Sequence, residues 1–142
     1  MLLVCGAIAG PLFTVAWIVE GATRANYDPL RHPISSLSIG DQGWTQTATF
    51  LVTGLLTLAF ALGLGRRLSS PGGSIWGPRL IGVIGIGLVG AGIFVTDPLN
   101  GYPAGTPNLP LHYSVPGRLH RIFSAFVFLG LPTACFVFKR LF

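Results

Sequence analysis

The chain has 142 residues, of which only 9% are Asp, Glu, Lys or Arg, and its mean hydropathy is +0.68. A soluble domain carries roughly 25% charged residues, so a water-facing globule, a disordered chain and a disulfide scaffold are all excluded. The net charge of +5 implies no nucleic-acid partner, because the basic residues flank apolar runs and form no stripe interleaved with aromatics.

What remains is an all-α integral membrane protein. A helix crossing the hydrocarbon needs about 20 apolar residues, and four stretches qualify, at about 2–19, 46–64, 75–95 and 121–138. They predict one transmembrane domain over 1–142, a four-helix transmembrane bundle with two long outer loops. The first stretch has no basic segment ahead of it and contains Pro11 and Trp17, so it reads as a span rather than a signal peptide. Within it Gly6 and Gly10 form a GxxxG pair suited to close helix approach, and Pro11 bends the helix. Cys5, and Cys135 in the last span, read as small buried hydrophobes.

The first outer connection, residues 20–43, contains the Asp28-Pro29 turn signal. Pro33 then opens a short helix over 34–39, which Gly40 ends, forming a lid at the membrane interface. The second span carries Gln46, Thr49, Thr53 and Thr57 at helical spacing. Hydroxyls bonded to their own i−4 carbonyls explain this stripe more simply than a transport path, since no ionisable group lies at mid-membrane depth. The inner connection, 65–78, is a Gly/Ser/Pro turn without chemistry. In the third span Gly82, Gly85 and Gly92 share a face, with Gly87 and Gly90 beside them, as expected of a central, tightly packed helix.

The second outer connection, 97–121, holds five prolines and predicts an extended cover without regular helix. His120 opens the fourth span at the outer mouth of the bundle. Arg66, Arg67, Arg79, Lys139 and Arg140 all fall on one side, with none of the acids. The positive-inside rule therefore places both termini in the cytoplasm of a cell (inner) membrane protein. All four acids and all three histidines then lie outside, and Trp17 and Trp44 mark the outer interface. Loops longer than about 15 residues are usually functional or disordered, so chemistry is expected at the outer face.

Taken together, Tyr27-Asp-Pro-Leu-Arg-His-Pro-Ile-Ser-Ser-Leu37, Gly43-Trp44, Thr96-Asp97-Pro98, Gly101-Tyr102-Pro103 and Gly117-Arg-Leu-His120 resemble a bacterial membrane family catalogued as domain of unknown function family 998. The resemblance covers most of the chain. It implies bundles of about six spans, against four here, so the sequence reads as a shortened relative or a partial one. It implies the topology and singles out the loops, and it supplies no reaction.

Three functions compete. In the first, a membrane enzyme acts on a lipid or other amphiphile, with Asp97, His120, His32 and Ser35 (or Ser36) as catalytic groups. Arg31, Arg121 and Trp44 would contact substrate, and His32, His112 and His120, with Asp97, would supply a tetrahedral zinc set. The spacing is a weak signal, with no HExxH-like helix pair. The second, a haem or quinone redox protein, is disfavoured because only His120 is helical. The third is a structural or accessory protein, alone, as a homo-oligomer or within a larger membrane complex. In that reading Arg31 and Arg121 neutralise Asp28 and Asp97, and a polar plug pins the outer loops. Caps and interface anchors are the simpler role for any single polar residue at a span end; the clustering argues for function. Arg31, His32, Asp97, His112 and His120 are expected to converge at the outer mouth, where desolvation favours neutral imidazoles.

Overall fold

A computed structural model describes residues 1–68 and 75–139. The four stretches are helices: α1 (Leu2–Thr23), α2 (Gly43–Arg67), α3 (Trp76–Ile93) and α4 (Val115–Lys139), with a single 3-10 turn, η1 (Ile34–Ser38), between α1 and α2. Each α helix is long and apolar enough to cross a membrane, and no strand forms among the described residues. The chain is a multi-pass, all-helical membrane protein. The central part of the inner turn, and Arg140, lie outside the described residues.

α1, α2 and α4 exceed their apolar runs because the flanking polar residues still satisfy their backbone groups helically, while α3 falls within the expected 75–95. The largest difference is at α4, which begins at Val115 rather than near 121. Pro116 was expected to belong to an extended loop, but a proline in the first helical turn removes an N–H that would lack a partner anyway. Ser114 supplies the cap, its Oγ accepting the Gly117 N–H at 3.0 Å. His120 accordingly sits in the second turn of α4.

Packing runs in chain order: α1 on α2, α2 on α3 and α3 on α4, while α1 and α4 share no seam among the described residues. The glycines of α3 explain its central place. Gly85 and Gly92 face Leu58 and Leu51 of α2, whereas Gly87 and Gly90 face Phe123 of α4. Two glycine stripes thus serve two neighbours. Gly54 of α2 meets Gly85 almost backbone to backbone, since a Cβ on Gly54 would stand 3.0 Å from the Gly85 carbonyl oxygen. Phe50, Ile84, Leu88, Ala91 and Ala134 form the core across these seams. The GxxxG pair is only half used: the Phe60 ring of α2 packs on Gly6, while Gly10 has open space before it. Cys5 and Cys135 are free thiols on the two helices that do not meet. The outward faces, such as Val4, Ile8, Val15, Phe128, Leu129 and Phe136, are exposed and apolar, as a lipid-facing flank requires.

Candidate functional site at the outer cap

The first outer loop folds on the Asp28-Pro29 turn. The Asp28 Oδ1 accepts the Leu30 N–H at 2.9 Å, and the Asp28 carbonyl accepts the His32 N–H at 2.7 Å. The ring of His32 returns this contact, its Nδ1 accepting the Asp28 N–H at 2.9 Å. Its ring proton is therefore on Nε2. His32 is buried, with its ring centroid 5.2 Å from that of Tyr102 and 5.8 Å from that of Tyr27. Tyr27 and Tyr102 meet edge to face at 5.8 Å. Burial pushes the Tyr27 phenol above its usual pKa, opposed by the hydrogen bond from the Trp17 indole. The Tyr27 hydroxyl in turn donates to the His32 carbonyl at 3.2 Å.

These rings join the two outer loops, and hydrogen bonds reinforce them. Arg31 Nη2 donates to Asn108 Oδ1 at 2.9 Å, and Asn100 Nδ2 donates to the Arg31 carbonyl at 2.7 Å. The tight turn that presents Tyr102 needs left-handed backbone at Asn100 (φ 57°) and Gly101 (φ 80°), which asparagine and glycine tolerate best.

Beneath this cap, η1 is wedged between α1 and α2. Leu37 and Ser36 are fully buried, and Ser38 nearly so. A second polar group lies at this junction. Glu20 and Arg24, one turn apart at the end of α1, approach within 3.7 Å, with side chains 12% and 11% exposed. Arg24 also donates to the Leu37 carbonyl at 3.2 Å, the Gln42 carbonyl at 3.0 Å and Thr45 Oγ1 at 3.3 Å. Glu20 Oε1 accepts from Thr49 Oγ1 at 3.3 Å. One arginine thus ties α1, η1 and the start of α2 together. On α1, η1 and α2, Glu20 Oε2, Ser36 Oγ, both amide atoms of Gln46 and Thr53 Oγ1 are buried without a hydrogen-bond partner among the described residues. The stripe on α2 is therefore mixed. Thr49 and Thr57 bond their i−4 carbonyls as expected, while Gln46 and Thr53 do not.

On the other side, Asp97 follows α3 and lies against the start of α4. Its Oδ2 accepts the Ser114 N–H at 3.0 Å, and a Cβ on Gly117 would overlap the carboxylate. The positive end of α4 holds this charge. His120 is buried and aims Nδ1 at the end of α3, 2.7 Å from the Phe94 carbonyl and 3.0 Å from that of Ala91. Carbonyls only accept, so Nδ1 carries the proton. The same ring nitrogen thus accepts in His32 and donates in His120.

The expected convergence is therefore divided. Arg31 and His32 join the second loop through Asn108, Asn100 and Tyr102, whereas Asp97 and His120 secure the ends of α4 and α3. His112 is exposed, Ser35 is half-buried, and Trp44 is 69% exposed at the start of α2. No three His, Cys, Asp or Glu side chains among the described residues are grouped to hold a metal ion, so His32, His112, His120 and Asp97 do not assemble as a zinc set. The expected neutralisations also differ. Arg31 pairs with Asn108 instead of Asp28, and Arg121 lies 4.4 Å from the Tyr113 ring centroid instead of on Asp97. Helix-terminal and backbone N–H groups were already at hand for both carboxylates. The residues to which the sequence assigned no role are Arg24, Tyr102, Asn100 and Asn108. Arg24 left a local trace in its i,i+4 spacing from Glu20, and Tyr102 stood within the Gly101-Tyr102-Pro103 motif.

A family model, described as a protein of unknown function (DUF998), matches residues 7–142. The chain belongs to the DUF998 family. Neither the curated proteins nor the solved structures compared with it gave a match. The residues by which the chain resembles DUF998 now have places. Tyr27, Asp28, Arg31, His32 and Tyr102 build the cap, Gly43 admits η1, and Asp97, Gly117 and His120 fasten α3 to α4.

Proposed function

We propose that this DUF998 protein is a non-catalytic structural or accessory protein of the cell (inner) membrane, whose outer polar residues clamp its loops into a rigid cap. Both termini and the Arg66/Arg67/Arg79 end face the cytoplasm, on the charge asymmetry of the connections. The observation that carries the reading is the engagement of the chemistry-bearing atoms. His32 Nδ1, Asp97 Oδ2 and His120 Nδ1 each meet main-chain groups that a cap or helix end needs satisfied. An amphiphile-directed enzyme built on Asp97, His120, His32 and Ser35 would need them to face one substrate, whereas His32 serves the cap and Asp97 and His120 serve the ends of α4 and α3.

Hydrogen–deuterium exchange in mild detergent tests this. Residues 27–40 and 97–114 should be protected as one unit, and Tyr102→Ala should expose both loops together. Tight zinc binding by the parent, lost in His32→Ala while the loops stay protected, would refute the structural reading.

One observation favours a second reading, in which the junction around Gln46 holds a small hydrogen-bonding guest. Buried polar atoms are seldom left without partners, and ordered water or a ligand ordinarily supplies them. Gln46→Leu separates the two. If the amide has no guest, the apolar replacement is neutral or raises the unfolding midpoint; a loss of about 1–3 kcal/mol indicates a satisfied amide and supports the guest.

A further inference from the structure

At the end opposite the cap, an open groove of about 610 Å³ lies between α2 and α3. Its walls are apolar, with Leu58 and Leu62 on α2 and Pro78 and Gly82 on α3, and Arg66 and Arg79 line the same groove. A Cβ on Gly82 would find only Ala61, 3.9 Å away, so the absence of a side chain there keeps the groove open. Arg79 lies 5.6 Å from the ring centroid of Trp76, which is 60% exposed, the arrangement of a membrane-interface anchor. The whole segment 65–79 contains three arginines and no acid.

We infer that this groove is a binding site for one anionic phospholipid of the adjoining leaflet. The phosphate is taken by Arg66 and Arg79, and an acyl chain lies along Leu58, Leu62 and Gly82. Each part of the ligand meets its complement. A guanidinium pairs with a phosphate oxygen through charge-assisted hydrogen bonds, and the apolar floor accepts hydrocarbon where a polar headgroup could find no partner. Basic clefts between helices at a membrane surface recognise anionic headgroups in this way. A zwitterionic lipid fits the same walls but brings a positive group to two arginines. The site is thus selective for charge at one end and tolerant of chain at the other. It does not depend on the cap or on its proposed role.

The test is a titration of the full chain in a nonionic detergent with phosphatidylglycerol or phosphatidylcholine, reading retained lipid by native mass spectrometry and the shift in Tm. Phosphatidylglycerol should bind about tenfold or more tightly than phosphatidylcholine and raise Tm further. Arg66→Ala/Arg79→Ala should abolish the preference, while Arg67→Ala, outside the groove, should retain it. Gly82→Leu keeps both arginines but fills the groove, and should weaken phosphatidylglycerol binding. It decides the matter should the double variant not fold. Equal binding of the two lipids, an equal loss in Arg67→Ala, or undiminished binding in Gly82→Leu would each overturn the assignment. So would displacement of the lipid by inorganic phosphate at matched concentration, since that would show a charge site without a seat for the chain.

Discussion

Arg24→Met should destabilise the protein by about 1.5–3 kcal/mol, the range for losing hydrogen bonds made by a charged group. The substitution keeps an apolar stem of similar length but removes the donors to the Leu37 and Gln42 carbonyls and to Thr45 Oγ1. It also leaves Glu20 at a site where its side chain is only 12% exposed. Adding Glu20→Gln should recover much of the loss, because a neutral amide needs no countercharge. Unfolding in mixed detergent micelles, followed by circular dichroism, measures both. A single variant within about 0.5 kcal/mol of the parent, the range of ordinary surface changes, would mean that this arginine does not hold η1 in place.

Gly43→Ala should be destabilising by about 1–3 kcal/mol, although alanine improves on glycine in an unobstructed helix by about 0.5–1 kcal/mol. The reversal comes from the contact with Ser38. A Cβ at position 43 would overlap the Ser38 carbonyl, which belongs to the backbone and cannot rotate away like a side chain. Either α2 shifts or η1 lifts, and faster amide exchange across 34–38 reports the second. A variant as stable as the parent, with η1 still protected, would show that the approach is looser than the structure has it.

The four spans were legible because hydropathy and length are local properties that a lipid environment turns directly into helix. The glycine pattern of α3 likewise announced a central helix, since two small-residue faces can serve two neighbours. The pairing of polar groups was not legible, for a physical reason. Asp97 and Arg121 read as natural partners by charge alone, yet the N–H of Ser114 lies closer to hand and the start of α4 already favours a carboxylate. In the sequence Arg24 is a single charge at the start of a long loop. Its importance comes from η1 folding back over it, which no periodicity in 24–42 reveals. The half-used GxxxG pair carries the same lesson: Gly6 and Gly10 are equivalent in pattern, and only the reach of Phe60 distinguishes them.

The chain-order packing of the helices, together with the cap, has a mechanical consequence. Because α1 and α4 share no seam among the described residues, the Tyr27–His32–Tyr102 rings and the bonds of Arg31 with Asn108 and Asn100 tie the α1–α2 connection to the α3–α4 connection. The four helices are like the ribs of a folding fan riveted at one end. A rivet there restrains rotation and spreading near the cap, while among the described residues the opposite tips meet through neighbour-to-neighbour seams. Splaying is therefore easiest at the arginine-bearing end, away from the cap.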